Sequence, residues 1–401
     1  MDELMMTIRE DVLKQMDLSR ELQDEEIQHL IARETSKNQK GKNLSIHERF
    51  HLEKQIFDSL RKLDVLQDLV DDPEVTEIMV NGPNHIFYEK NGTVYKSDQS
   101  FASNDKLMDL LQQIVANHNR VVNQSSPIVA TRLPDGSRVH IVLEPIALDG
   151  AAITIRRFPK TPITMAQLIA IDSISKEAAE FLENLVKARY NIFVSGGTSS
   201  GKTTFLNALS QYIPSDERII TIEDSAELQI MDIHNLVRLE TRNSNMEGVE
   251  EISIRDLIRT SLRMRPDRII VGECRGAEAL DMLQSMNCGH DGSLSTGHSN
   301  SSKDMLSRME TMVMMAGMEL PLQAIRQQIA SGIDIVVHLA RLRDRSRRVM
   351  EISELDGISN GEIQMNPIYS YTGKELAKVG KLKHLQKMQM AGLYQEGCFD
   401  I

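Results

Sequence analysis

Nine consecutive residues decide the fold of this chain and read GGTSSGKTT: Gly196, Gly197, Thr198, Ser199, Ser200, Gly201, Lys202, Thr203 and Thr204. They match G-x-x-x-x-G-K-[ST] and lie between an apolar run, YNIFVS, and a helical segment, the context that this phosphate-binding loop requires. The glycines let backbone N–H groups curl around phosphates, and the following helix directs its positive end at them. The motif predicts nucleotide contacts for all nine residues, with Lys202 on the β- and γ-phosphates and the Thr203 hydroxyl on Mg²⁺.

Apolar strands alternate with helical segments on both sides of this loop. Over residues 165–372 the alternation predicts an α/β domain with a mostly parallel sheet and helices on both faces. The last two runs, RVMEISEL and IQMNPIYSY, predict an antiparallel edge. In an open α/β sheet, ligands bind beyond the carboxyl ends of the strands, so the residues that end each strand are the candidates for chemistry.

Acidic residues stand at two of these strand ends. RIITIE ends in Glu223, with Asp224 next, and RIIVGE ends in Glu273. Strands of this kind usually end in Asp or Asp-Glu, with the Asp helping to hold magnesium, but here Gly272 stands in that place. We expect Glu223 and Glu273 to serve both the metal and catalysis. Alone, each acid would also suit a solvated loop or a helix N-cap; their shared position favours function.

The roles of the two glutamates differ between two assignments. In the first, Glu273 polarises the attacking water, because it follows the position of the missing Asp. In the second, Glu223 has that task and Glu273 holds Mg²⁺ through water. We predict the first assignment.

The segment GHDGSLSTGHS carries two histidines, His290 and His298, among several glycines. Their separation of eight residues is not a zinc-ligand spacing. A γ-phosphate sensor or an inter-domain contact fits them better, while a lone histidine is more often a satisfied polar residue. The methionine-rich run between residues 304 and 320 favours a helical core, with a docking surface as the alternative.

The chain before the P-loop domain divides into further predicted segments. Residues 1–70 read as a helical appendage, with a linker at 35–43, and residues 71–158 as an α+β domain of short strands and one helix. Two prolines in PKTPIT mark a linker at 159–164. A Lys-rich tail, residues 373–401, is predicted as a solvated helix, with partner docking as the alternative.

Bulk properties restrict the class of protein. The 401 residues suffice for two or three domains, and the net charge of −12 argues against a large nucleic-acid surface. Three cysteines without a CxxC indicate neither a disulfide framework nor a zinc ribbon. The N-terminus lacks a signal-peptide layout, and no run reaches the ~18 apolar residues of a membrane span. We expect a cytosolic protein that meets a membrane only through a partner.

The order of four segments resembles the secretion ATPase superfamily of type II secretion, type IV pili and type IV secretion. These segments are GGTSSGKTT, TIEDSAEL, RPDRIIVGECRG and GHDGSLSTGHS, which match the Walker A motif, Asp box, atypical Walker B motif and His box of that superfamily. The resemblance covers roughly residues 70–355 and is nearest to the CpaF-like ATPases of Flp/Tad pili. That family writes Gly-Glu where other P-loop proteins write Asp-Glu, so Gly272 follows the family pattern.

The resemblance implies a function and partners. It implies a RecA-like domain in a cytosolic homohexamer that hydrolyses ATP with Mg²⁺ and sits at the inner face of the cell membrane through a polytopic platform protein. It assigns a catalytic role to His298 of the His box and places arginines of the α+β domain at the nucleotide, some across a subunit boundary. Arg138 and Arg156 are the first candidates in that domain, which also contains Arg132 and Arg157. The secondary candidates lie in the domain of residues 165–372 and are Arg242, Arg265 and Arg275.

Three alternatives to a Flp/Tad pilus motor remain. A type IV secretion ATPase shares the same motifs. A RecA-like nucleic-acid motor is disfavoured by the acidic chain, which has no Trp and only seven Tyr for base stacking. A scaffold that binds nucleotide without hydrolysis is disfavoured by the intact Lys202, Thr203, Glu223 and Glu273.

Overall fold

The structure, a computed structural model, describes residues 2–16, 20, 22–116, 121–158, 161–242 and 250–393. The chain divides into two compact units, Met1–Pro159 and Lys160–Ile401, each with its own buried cores. Three parts of the predictions lie outside the described residues. They are the first two residues of the predicted linker, the last eight residues of the predicted tail, and the end of the helix of the α+β domain, which the sequence predicts over about 103–119.

The first unit begins with helices that share a small apolar core, including Ile8, Ile31 and Ile56. The helices are α1 (Asp2–Gln15), α2 (Asp24–Lys37), α3 (Gln39–Lys42), α4 (Ile46–Arg61) and, after a 3₁₀ turn at Asp64–Leu66, α5 (Gln67–Asp71). Helix α4 begins with a capping box, in which the Ser45 side chain accepts from the Glu48 backbone N–H and the Glu48 side chain accepts from the Ser45 backbone N–H. The predicted linker at 35–43 is wrong, because α2 runs into it, the Asn38 side chain caps α3, and Gly41 is buried.

A six-stranded antiparallel sheet with one helix completes this unit. Its elements are β1 (Val75–Asn81), β2 (Ile86–Lys90), β3 (Thr93–Lys96), α6 (Asn104–Ala116), β4 (Ile128–Arg132), β5 (Arg138–Val142) and β6 (Ala152–Arg156). The strand order is β3-β2-β1-β6-β5-β4. Buried residues alternate along each inner strand, such as Val139 and Ile141 on β5, and they share a core with the apolar stripe of α6.

The second unit is built on a nine-stranded sheet. Its strands are β7 (Ile192–Gly196), β8 (Arg218–Glu223), β9 (Asn235–Glu240), β10 (Arg268–Cys274), β11 (Leu294–His298), β12 (Ile335–Arg341), β13 (Arg347–Ser359), β14 (Glu362–Tyr371) and β15 (Leu376–Lys378). The order is β15-β14-β13-β12-β7-β11-β10-β8-β9. Strands from β12 to β9 in this order are parallel, and the other pairs are antiparallel, so the predicted antiparallel edge is present.

Helices cover both faces of this sheet, each with a separate apolar core. They are α7 (Met165–Ala170), α8 (Lys176–Lys187), α9 (Lys202–Ser210), α10 (Ile254–Ser261), α11 (Glu278–Asn287), α12 (Ser302–Met314), α13 (Leu322–Gly332) and α14 (Gln386–Met390). Helices α8 and α9 pack on one face and α10 to α13 on the other. The predicted fold class, an α/β domain preceded by an α+β region and helices, is confirmed.

The chain from residue 373 to 393 packs against the rest of the second unit. The buried Glu354 carboxylate accepts hydrogen bonds from the backbone N–H groups of Lys383 (2.9 Å) and His384 (2.7 Å). Lys387 forms ion pairs with Asp291 and Asp334. The prediction of a solvated helix is wrong for this part of the tail, because the buried carboxylate of Glu354 on β13 accepts hydrogen bonds from its backbone.

The methionine-rich run divides between core and surface. Met305, Met309 and Met312 are buried in the core under α12, whereas Met314 and Met315 are more than half exposed. Among the described residues, no helix is both long enough and apolar enough to cross a membrane.

Candidate nucleotide-binding site

The phosphate-binding loop leaves the central strand β7 and enters α9 at Lys202. Gly196 cannot carry a side chain, since a Cβ there would lie 2.5 Å from the carbonyl oxygen of Leu339 and from Ser200 Oγ. Gly201, with φ +94°, and Ser199, with φ +57°, adopt the left-handed backbone of a tight loop. The shape of this loop therefore follows from the local sequence. A buried strand leads to Gly196, which packs against Leu339 and Ser200, and a tight turn then precedes the helix.

Lys202 lies inside the loop that precedes it and is only 8% exposed. Its Nζ donates to the carbonyl oxygens of Gly196 (3.2 Å) and Gly197 (3.0 Å), and it lies 3.2 Å from Nδ1 of His298. Burial lowers the pKa of Lys202, and the charge of Glu273 opposes that shift. The loop thus presents one cation, already positioned, to a phosphate.

Glu223 ends β8 and is almost fully buried. Its Oε1 accepts the backbone N–H groups of Glu227 (2.8 Å) and Leu228 (2.9 Å), and its Oε2 is buried with no hydrogen-bond partner among the described residues. Burial is the largest cause that raises the pKa of Glu223 to about 7; the two N–H groups oppose it. This carboxylate therefore has one oxygen held by hydrogen bonds, one available oxygen and a pKa of about 7.

The glycine at the expected Asp position is explained by Glu223. Strands β8 and β10 are neighbours, with Ile222 opposite Val271 in the register. A Cβ on Gly272 would lie 2.8 Å from Cγ of Glu223 and 3.3 Å from its Oε1. The Glu223 side chain occupies the space that an Asp at position 272 would need, so both acids could not be accommodated. The acid expected at the end of β10 is therefore replaced by Glu223 at the end of β8.

Glu273 lies at the same edge, 20% exposed, between two basic side chains. A terminal nitrogen of Arg275 donates to its Oε2 at 2.6 Å, and Nε2 of His298 lies 2.8 Å from its Oε1, without the alignment of a hydrogen bond. Arg275 also lies 3.8 Å from an oxygen of Asp224. Burial is the largest influence on His298 and lowers its pKa, while Glu273 raises it. His298 thereby links Glu273 to Lys202.

The remaining candidate residues of this unit lie at two opposite edges of the sheet. Thr203 and Thr204 open α9, and Arg242 and Arg275 follow strand ends at the loop edge. His290 and Arg265 instead precede β11 and β10, at the opposite edge of the sheet, where His290 Nδ1 lies 3.3 Å from the Ser285 carbonyl oxygen. His290 and His298 do not share a strand face, because β11 begins only at Leu294.

The candidate arginines of the first unit form a row across its sheet. The register pairs Arg132 with Arg138, Arg138 with Arg156, and Arg156 with Glu77. Directly paired residues point to one face, and these lie on the face opposite the buried core. Arg157 has a different role, since it donates to the backbone carbonyl oxygens of Asp72 and Val75.

Sequence reasoning missed two groups beside the loop. Ser195 Oγ lies 2.9 Å from Nδ1 of buried His338 on β12, directly before the phosphate-binding loop. Arg347 Nε donates to the Ser199 carbonyl oxygen at 3.0 Å. Neither residue belongs to a motif, and only the pairing of β12 with β7 brings them near.

A mostly parallel sheet with a glycine-rich loop between its central strand and a helix defines an α/β protein of the phosphate-binding-loop class. The chain belongs to the Type II/IV secretion system protein family, whose model matches residues 59–384.

Two curated relatives are similar over most of their length. A putative conjugal transfer protein of Mycobacterium tuberculosis is 34% identical over 297 residues, 73% of this chain and 84% of that protein. The type IV secretion system protein PtlH of Bordetella pertussis is 33% identical over 321 residues, 74% of this chain and 95% of that protein.

Two solved structures share the fold. The Legionella pneumophila ATPase DotB is 21% identical with a TM-score of 0.51, over 71% of this chain and 78% of that chain. The pilus retraction motor PilT with bound ADP is 16% identical with a TM-score of 0.50, over 82% and 85%.

Proposed function

We propose that this chain is an ATP-hydrolysing motor of a secretion or pilus-assembly machine. The observation that carries the proposal is the meeting of Lys202, His298, Glu273 and Glu223 at the one sheet edge where the phosphate-binding loop ends. A phosphate-binding loop alone would suit many nucleotide-binding proteins. A buried acid with pKa near 7 beside a second acid and a histidine adds what hydrolysis requires.

In this proposal the chain's own groups divide the chemistry. Backbone N–H groups of residues 196–204 hold the phosphates, and Lys202 moves from the loop carbonyls to the β- and γ-phosphates. Glu223 accepts the proton of the attacking water, since its Oε2 is available and its pKa lies near the working pH. Glu273, held by Arg275 and beside His298, orients that histidine toward the γ-phosphate. The geometry thus favours the second assignment of the glutamates.

The same residues fit a magnesium ion. Among the described residues, no three acidic, histidine or cysteine side chains cluster as a metal site, so an all-protein cage is not what this edge offers. Mg²⁺ in nucleotide sites keeps several waters and takes only one or two protein ligands besides phosphates. Thr203 would hold it directly and Glu273 through water, which leaves the free oxygen of Glu223 to the attacking water. The ion would neutralise charge on the phosphates.

The arginine row supports a second part of the proposal. Arg138 and Arg156 would stabilise γ-phosphate charge in a homohexamer, across a subunit boundary, because planar guanidinium groups suit that charge. Residues 71–158 would then move against the RecA-like domain of residues 165–372 around a linker at 159–164. Residues 1–70 and 373–401 would be accessory segments.

The machine served is a Flp/Tad-type pilus or a type IV secretion system. The CpaF-like motifs favour the first, and the relatives named as conjugal transfer and type IV secretion proteins favour the second. In both cases the partner would be a polytopic platform protein at the inner face of the cell membrane, with no nucleic acid bound. A nucleic-acid motor would instead show DNA-stimulated hydrolysis, which we do not expect.

Lys202→Ala tests the proposal. We expect weakened ATP binding and no measurable turnover, because the phosphate loses its counter-charge. Lys176→Ala is the matched control, since its side chain is 80% exposed and pairs with Glu180 on the same helix. ATP affinity and phosphate release should be measured for both variants. Wild-type hydrolysis by Lys202→Ala would remove this site from the account.

A further inference from the structure

An arginine-rich hairpin stands beside the phosphate-binding loop. Strand β12 pairs with β7 up to Leu339 opposite Gly196 and then continues beyond the sheet edge. At about 3.3 Å per residue, its turn lies roughly 10 Å past the start of the loop. The turn and its flanks read Arg341-Leu342-Arg343-Asp344-Arg345-Ser346-Arg347-Arg348. Five of these eight residues are arginines, and four of the five are exposed.

The hairpin turn is ordered by its own hydrogen bonds. Asp344 Oδ1 accepts the backbone N–H (2.9 Å) and hydroxyl (2.7 Å) of Ser346. The N–H of Leu342 donates to the Ser346 carbonyl oxygen at 2.8 Å. The arginines therefore project from a fixed turn rather than from a loose loop.

Arg347 points from this hairpin to the phosphate-binding loop. Its Nε donates to the Ser199 carbonyl oxygen (3.0 Å), and its Cδ would lie 3.2 Å from a Cβ on Gly201. The structure gives its two terminal amino groups no partner within the described part of the chain. Arg341 lies directly opposite Arg347 in the strand register, an arrangement of like charges that costs stability. An anion between the two guanidinium groups would remove that cost.

We propose that Arg347, with Arg341 opposite it, binds a phosphate group of the nucleotide held by residues 196–204. This inference rests on the proposed nucleotide site and adds a second wall to it. The acids Glu223 and Glu273 lie on β8 and β10, on one side of β7, and the hairpin lies on the other side. The phosphates would lie between a magnesium-facing acidic wall and an arginine wall, where the guanidinium fork supplies charge-assisted hydrogen bonds.

The test compares Arg347→Gln with Arg343→Gln, an exposed arginine on the same turn, using ADP as the probe with the full chain. We expect ADP affinity to fall about tenfold in Arg347→Gln and to stay at the wild-type value in Arg343→Gln. The salt dependence of ADP affinity should also flatten in Arg347→Gln, because one screened cation–phosphate contact is gone. Arg347→Lys should recover part of both effects.

The outcomes separate this inference from the proposed function. If the wild-type chain binds no ADP, the nucleotide site itself fails. If it binds ADP and Arg347→Gln binds equally well, the arginine wall is wrong. If Arg347→Gln weakens ADP binding with an unchanged salt dependence and a lower melting temperature without nucleotide, Arg347 only braces Ser199, and the inference is also wrong.

Discussion

The two units carry two basic sites that differ in how their charges are arranged. At the phosphate-binding loop, cations meet acceptors of the same unit: Lys202 donates to loop carbonyls and Arg275 to Glu273. On the sheet of the first unit, three arginines occupy consecutive register positions on neighbouring strands, where like charges repel. At the loop the cations lie beside acceptors, whereas in the row the guanidinium-bearing residues lie side by side along the sheet, and Glu77 is the next register partner after Arg156. The predictions below test this difference.

After the loss of Lys202, the largest effect we expect is at Glu223. Glu223→Gln should bind ATP normally and slow the chemical step by roughly 10²–10⁴-fold, because the buried proton acceptor is lost. In the wild type, kcat/KM should rise as pH increases through about 7, since a base works when deprotonated and the pKa of Glu223 is raised to about 7. Single-turnover hydrolysis at several pH values measures both effects.

Glu273→Gln is the companion variant. We expect a smaller chemical defect that excess Mg²⁺ partly repairs, because in the proposed assignment Glu273 would contact the ion only through water. The reverse result, with Glu273→Gln inert at any Mg²⁺ concentration and Glu223→Gln active, would return the role of base to Glu273, as the sequence predicted.

The arginine row should give the next effect. Arg138→Ala and Arg156→Ala should keep ATP affinity and lower kcat about 10²-fold, less than a full arginine-finger effect because two residues share the charge. If the arginines act across subunits, mixing either variant with Lys202→Ala should restore part of the activity, since mixed rings contain some intact sites. Absence of recovery with proven co-assembly would exclude action in trans.

Arg157→Ala is the structural contrast to Arg156→Ala. Arg157 donates to two backbone carbonyl oxygens near β1, so its loss should lower thermal stability. Loss of the exposed Arg156 should leave the melting temperature nearly unchanged. Equal melting temperatures for the two variants would show that the row and its neighbour do not differ in role.

The sequence predicted what local pattern encodes. The loop between β7 and α9 follows from nine adjacent residues. Runs of alternating or continuous apolar residues located the strands of both sheets except β15, which lies in the tail that was predicted as a helix. The meeting of Glu223 and Glu273 at one edge followed from a general property of parallel sheets.

Contacts between residues that are far apart in the chain could not be predicted from the sequence. Gly272 is explained only once β8 is known to lie beside β10, and Arg347 reaches the loop only because β12 lies beside β7. The tail was predicted to be solvated because of its own lysines. The carboxylate that binds its backbone belongs to Glu354, about thirty positions earlier in the chain, and no local pattern indicates that contact. Arg156 and Arg157 could have been separated in advance, since adjacent strand residues face opposite sides.

The smallest expected effect tests whether Gly272 is required to leave room for the Glu223 side chain. Gly272→Ala places a Cβ 2.8 Å from Cγ of Glu223, so it should destabilise the protein by about 1–3 kcal/mol through overpacking. In a Glu223→Ala background the space is open, and the same change should cost much less, with a coupling of about 1 kcal/mol or more. Gly197→Ala is the control, because its Cβ would meet nothing within 4 Å. Urea unfolding of the wild type and the three variants of the cycle measures the coupling. Additive costs would mean that Gly272 is not there to make room for Glu223, and the replacement of the strand-end acid would need another cause.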